Sequence, residues 1–264
     1  MAMKKFIRIA ALIALLSFQG NAFTVAILNV HEGSSSFIKI SDKSGVLIDA
    51  GCAEDAPHII KFLKSRGIDT LSMAIISHPD FAHEGGFGRI IDSGGFVIGR
   101  VVKNRDNPQT PAFDNLMKII DRKKIPVIIV KKDTTIGDIE LKNCSAVGGD
   151  FHTRCLVVGY SDLGKSIAFM GDADAQAEKK LMSIKADALV ISHHGSKAAT
   201  SQKFLNAVKP EIAFISVGPN SFGHPAKEII DRLKNAGIEI YRTDEMGDMV
   251  VTVVDWKFKV KRKK

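Results

Sequence analysis

The chain has 264 residues, 45% hydrophobic and 25% charged, with 22 glycines and 8 prolines, a balance that excludes disorder, collagen and a disulfide-stapled miniprotein. At this length roughly 70 to 75% of the unfolded surface can be buried, so a core forms without metal or disulfide support. The formal charge of +8 is concentrated at the ends: Lys4, Lys5, Arg8 and six basic residues in 257–264 account for nine, leaving 28 basic against 29 acidic residues.

In chain order, residues 1–22 read as an export signal. They combine a basic start, an apolar run over 9–18 interrupted by Ser17, and the small-x-small pattern Gly20-Asn21-Ala22. The run is shorter than the about 20 residues of a spanning helix. Cleavage after Ala22 and a periplasmic or extracellular location are therefore expected, with a retained anchor or a buried first strand as the alternative. Val/Ile-rich runs bounded by Gly and Asp predict strands over 24–30, 36–40, 45–48 and 72–76, and a helix over 56–66 stopped by Gly67. Residues 104–111, with two prolines, read as a loop insertion. Strands are predicted over 138–147, 155–160 and 166–170, then a helix over 175–183 and a strand over 188–191. A helix over 202–208, a strand over 212–217, a helix over 227–236 ended by Gly237 and a closing strand over 249–259 complete the series. Strands that meander in each half before helices cover them predict a layered α/β protein with two facing sheets.

Residues 257–264 read as a basic tail following a body over 23–256. Such an end is either solvated or grips an anionic polymer or membrane surface. Cys52, Cys144 and Cys155 allow one disulfide, but their spacing selects no pair, and none forms a C-x-x-C zinc motif.

The polar residues of interest follow apolar strands. Ile75-Ile76-Ser77 leads into His78-Pro79-Asp80-Phe81-Ala82-His83-Glu84-Gly85-Gly86, and Phe169-Met170 into Gly171-Asp172. Val190-Ile191-Ser192 leads into His193-His194-Gly195-Ser196, and Val217-Gly218 leads to Gly223-His224-Pro225. Five of the eight histidines fall in these loops, and with His152 they can converge on one rim. Neutral imidazoles and carboxylates suit zinc and similar divalent ions, and a bridging carboxylate suits a pair of them. His31 and His58 lack such a setting and read as structural.

In these motifs, together with Val46-Leu47-Ile48-Asp49-Ala50-Gly51 and the opening turn around Gly33, the sequence resembles the metallo-β-lactamase fold superfamily. Within it, His193-His194-Gly195-Ser196 followed by Gly223-His224-Pro225 resembles the lactamase-like domain of ComEC family competence proteins. The resemblance implies a four-layer αββα sandwich of two facing mixed sheets, and a divalent metal site for one or two ions, zinc or alternatively manganese. It implies that His78 and Asp80 help hold one metal, that His83 turns toward a second, that Asp172 bridges them, and that His193 or His194 completes the second site. His152, 20 residues before Asp172, stands about where many members place a further ligand. His224 would bind a substrate phosphate or protonate a leaving group, and Asp80 would share in the catalytic work.

The departures are as informative. The branch pattern His-x-Asp-x-Asp-His has Ala82 at its second aspartate, and alanine offers no donor atom to a metal or an attacking water. Asn29, His31 and Ser34 also depart in the opening turn. Two expectations follow. One is an exported metal-dependent hydrolase in which a bound hydroxide attacks a phosphodiester, with DNA as the implied substrate. The other is a metal-binding scaffold of the same fold that does no chemistry.

Overall fold

The computed structural model describes residues 23–144 and 154–263. The expected export signal and His152 lie outside the described residues. A nine-stranded sheet comprises Thr24–Ile27 (β1), Ser36–Lys39 (β2), Ser44–Ile48 (β3), Thr70–Ile76 (β4), Val97–Ile98 (β5), Val101–Lys103 (β6), Val127–Ile129 (β7), Asp248–Val254 (β15) and Lys257–Lys263 (β16). Its order is β16-β15-β1-β2-β3-β4-β6-β7, with β5 beside β4. A seven-stranded sheet holds Thr134–Ile136 (β8), Ile139–Asn143 (β9), Leu156–Asp162 (β10), Lys165–Phe169 (β11), Ala188–Val190 (β12), Ile212–Ile215 (β13) and Glu239–Arg242 (β14). Both sheets are mixed: antiparallel pairs such as β1/β2 and β9/β10 pass into parallel ones such as β3/β4 and β11/β12.

The period of two in each strand sorts its side chains between layers. In β1, Val25 and Ile27 enter the core between the sheets, while Ala26 faces the opposite way. That outer face is covered by Ala56–Lys64 (α1), Phe87–Asp92 (α3) and Pro111–Arg122 (α4), through Ile59, Leu63, Ile90, Leu116 and Ile120. The short α2 spans Phe81–Glu84. Over the second sheet, Gln202–Val208 (α5) and Lys227–Asn235 (α6) bury Phe204, Leu205, Ile229 and Leu233. Thr243–Met246 (α7) leads into β15. The helix–sheet–sheet–helix order is the four-layer sandwich that the resemblance implies. No described helix is long and apolar enough to cross a membrane.

Three local expectations need correction. The helix expected over 175–183 is one 3-10 turn, Ala177–Lys180. That turn already buries Ala177, and the Glu178 carboxylate folds inward to accept from the Thr200 and Ser201 N–H groups. The loop expected over 104–111 holds over 104–110, and only its last residue is taken into α4, which starts with Pro111 in its first turn and is capped by Thr110 Oγ1, accepting from Phe113 N at 3.3 Å. The basic tail is β16. Asp255 and Trp256, with φ of 50° and 60°, make the tight turn that two left-handed residues allow. The strand then pairs with β15 from Val254↔Lys257 to Asp248↔Lys263. Phe258 and Val260 pack against the core while Lys257, Lys259 and Lys261 stay exposed. A lysine-rich edge discourages pairing with another sheet.

Candidate metal centre

Loops from the ends of β1, β3, β4, β11, β12 and β13 meet at one edge of the sandwich. Ser77 follows β4, and its N–H and hydroxyl donate to the buried Asp49 carboxylate at 2.8 and 2.7 Å. Asp49 directly follows β3 in a left-handed conformation, φ 56°, and also meets His83 Nδ1 at 2.8 Å. Because a carboxylate only accepts, His83 must donate through Nδ1. The Ser77 proton is committed to Asp49, so Ser77 Oγ accepts from His78 Nδ1 at 3.1 Å. Both imidazoles therefore turn Nε2 toward Asp172.

Asp172 collects four such atoms. His78 Nε2 and His83 Nε2 lie 3.6 and 3.3 Å from its oxygens, and His193 Nε2 and His194 Nε2 lie 3.9 and 4.0 Å away. His193 and His194 both adopt left-handed backbone, φ 49° and 52°, a costly conformation outside glycine. It presents both rings to one point. His194 Nδ1 donates to the Ser216 carbonyl at 3.0 Å, which leaves its Nε2 directed at Asp172. Burial opposes the charge on Asp172, but His83 and His78 outweigh it and hold the carboxyl well below its usual range. Burial likewise opposes a charged His83, but Asp172 and Asp49 prevail and raise its pKa. His194 is pushed down to about 4 by burial, with Asp172 opposing, so it is neutral at pH 7.

His78, His83 and Asp172 each offer a ligand atom within 4.8 Å of the others. His83 Nε2 and Asp172 Oδ1 are buried without a hydrogen bond, an arrangement that costs free energy unless something satisfies both. A divalent cation does so, and nitrogen and oxygen donors aimed at one point are what zinc takes. The residues present fit a metal ion.

The remaining candidates stand farther out. Asp80 lines the cleft as the cap of α2, its Oδ1 accepting from Ala82 N at 2.8 Å, and is not in the tight group. Ala82 also lines the cleft. Its carbonyl presses on Gly33, where a Cβ would come within 1.9 Å, so the opening turn requires glycine. His224 stacks on Phe222 with centroids 5.7 Å apart, and burial together with His193 lowers its pKa. The cleft has a volume of about 460 Å³. Phe81 and Phe222 at its mouth are 46% and 69% exposed. Cys52 lines it too, its thiol pushed up to about 12 by burial and by Asp55, Glu54, Glu32 and Asp80, which keeps it protonated.

His31 and His58 lie outside this cluster, as expected, each paired with a carboxylate: Asp55 at 2.7 Å and Asp248 at 2.8 Å. What sequence reasoning missed is the part of Asp49. It belongs to a quoted motif, but only the three-dimensional register shows that it fixes His83 and Ser77.

Residues 28–218 match the metallo-beta-lactamase superfamily. The chain is 26% identical over 250 residues to ComE operon protein 3 of Bacillus subtilis (strain 168), covering 84% of this chain and 32% of that protein. It is 28% identical over 236 residues to competence protein ComA of Neisseria gonorrhoeae, covering 86% and 32%. The chain thus spans about a third of the length of these relatives. Among solved structures, the metallo-beta-lactamase fold protein YhfI from Bacillus subtilis aligns with a TM-score of 0.59 at 11% identity, covering 87% of this chain and 98% of that one. Human tRNase Z, short form, aligns with a TM-score of 0.56 at 12% identity, covering 88% and 99%. At these identities the structural likeness establishes the fold alone.

Proposed function

The chain belongs to the metallo-beta-lactamase superfamily, and on that premise we propose that it is an exported metal-dependent hydrolase that cleaves phosphodiester bonds of nucleic acid. The observation that carries the hydrolase reading is the convergence of four imidazole Nε2 atoms within 4.0 Å of one buried carboxylate, three of them with Nδ1 committed elsewhere. His78, His83 and Asp172 would hold a first ion, with His193 and His194 completing the set on the mouth side. A divalent ion in that position supplies Lewis acidity, lowering the pKa of water and stabilising charge on a phosphoryl oxygen.

The other groups bind and orient. Asp49 and Ser77 hold the imidazoles in the required tautomers, which removes reorganisation from the reaction. Neutral His224 faces the cleft and donates a ring N–H to a phosphoryl or leaving oxygen. No Lys or Arg lines the cleft among the described residues, so phosphate charge falls to the metal and the imidazoles. Nucleic acid is supported by the competence proteins the chain resembles and by Phe81 and Phe222, whose exposed rings offer faces on which bases stack. The lysines of β16 supply a contact for an anionic polymer or membrane surface, and export rests on the pattern of residues 1–22.

The second reading, a metal-binding scaffold without chemistry, is favoured chiefly by Ala82, together with Asn29, His31 and Ser34 in the opening turn. Hydrolysis of bis(p-nitrophenyl) phosphate and of single- and double-stranded DNA by zinc- or manganese-loaded protein separates the two. Metal-dependent cleavage that His224→Ala slows by about a hundredfold is expected. Folded, metal-loaded protein that cleaves none of these substrates leaves the scaffold.

A further inference from the structure

The cysteine pair that the sequence leaves open is selected by strand register. Asn143 of β9 stands opposite Leu156 of β10. One residue beyond, the Cys144 N–H donates to the Cys155 carbonyl at 3.1 Å, so the two cysteines face each other across the open end of the pair. Both residues are buried, 1% and 0% exposed, inside the core between the second sheet and its helices. Opposed residues joined by such a backbone bond lie about 5.5 Å apart at Cα, in the middle of the range that a disulfide spans. Cys52 is on a different layer, at the metal cleft, with its Sγ donating to the Glu32 carbonyl at 3.3 Å.

We propose that Cys144 and Cys155 form an intrachain disulfide when the protein folds in the presence of a disulfide oxidant such as oxidised glutathione, leaving Cys52 as the free thiol. One cysteine thiolate attacks a sulfur of the oxidant, forming a mixed disulfide and expelling the first glutathione thiolate. The second cysteine thiolate then attacks the cysteine sulfur of that mixed disulfide, forming the intrachain bond and expelling the second glutathione thiolate. The two cysteine sulfurs are oxidised by two electrons, the oxidant is reduced, and the two thiol protons end on the two glutathione thiols.

The bond braces the ground behind the metal centre. Cys155 Sγ lies 3.5 Å from the Met170 carbonyl, and a Cβ on Gly171 would meet it at 3.4 Å. Gly171 directly precedes Asp172. The bridge closes a segment of ten intervening residues and so restrains the unfolded chain as well as the strand ends. The inference depends neither on hydrolase activity nor on export.

The test is oxidative refolding of the reduced, unfolded protein in a glutathione redox buffer, read by intact mass, thiol count in denaturant and peptide mapping. The expected product is two daltons lighter than the reduced chain. It has one reactive thiol, carries a linked Cys144–Cys155 peptide, and melts about 5–10 °C higher than the same sample reduced. The Cys52→Ser variant, which leaves the pair intact, is expected to form the same link and retain no thiol. Three thiols in protein that has regained its native circular dichroism, or a link involving Cys52, would overturn the proposal.

Discussion

Beneath the cleft the fully buried His78 lies beside His83, which with Asp172 lines the floor, and each imidazole has its Nδ1 occupied, by Ser77 for His78 and by Asp49 for His83. At the mouth Asp80, His193 and His224 are partly open to solvent, and Ala82 presents a methyl group. Hydrogen bonds fix the direction of the donor atoms on the floor, whereas the mouth offers Asp80 and half-exposed imidazoles. Alanine at position 82 leaves the donor atoms on the floor in place, because they are held by Ser77 and Asp49, partners outside the Ala82 turn. It also places the expected weakness at the mouth, where a second ion and the attacking water would be positioned.

The largest effect should come from breaking the floor. Asp172→Ala removes the carboxylate on which four imidazoles converge, and is expected to abolish tight metal binding and to slow any hydrolysis by at least about a thousandfold, measured by metal content and initial rates. Asp49→Asn keeps the size of the side chain but weakens the partner of His83. Metal affinity should fall about 10- to 100-fold, as read by competition with a chromogenic chelator.

Ala82→Asp acts in the opposite direction, at the mouth. It is expected to raise occupancy of a second metal and the rate of phosphodiester hydrolysis by about tenfold, equivalent to about 1.4 kcal/mol. Titration of the loaded protein with further metal, followed by rate measurements, checks this, and no gain in either would show that position 82 is not a ligand position. The smallest effect belongs to a pair outside both regions. The hydrogen bond to Asp248, against the opposing cost of burial, raises the pKa of His58 above the ordinary 6.5. Its stabilisation is therefore fully present below pH 6.5 and is lost as pH rises through the folded value. Melting curves of the wild type and His58→Gln should converge across that window.

Much of the scaffold was legible because its strands are short Val/Ile runs punctuated by Gly and Asp, and because the left-handed Gly67 and Gly237 turn the chain just after α1 and α6. The site loops were legible because their histidines and aspartates follow such strands directly. Helix α4 was hidden by its own start: Pro108 and Pro111 suggest a loop, while proline in the first turn is compatible with the helix that buries Phe113, Leu116 and Ile120. Strand β16 was hidden by lysines, since its apolar face consists of little more than Phe258 and Val260, and only pairing with β15 makes them a face. The positioning role of Asp49 and the opposition of Cys144 and Cys155 depend on register between strands, which one sequence does not encode in a readable form. His152 is a ligand candidate that lies outside the described residues.

The most direct test of a preorganised metal centre that tolerates Ala82 is the metal content of the purified protein, prepared without chelator, beside His78→Ala and Asp172→Ala. A centre of this kind holds at least one tightly bound equivalent in the wild type and loses it in both variants. A wild-type protein that carries no metal and takes up none on titration, with melting temperatures unchanged in the two variants, would contradict it.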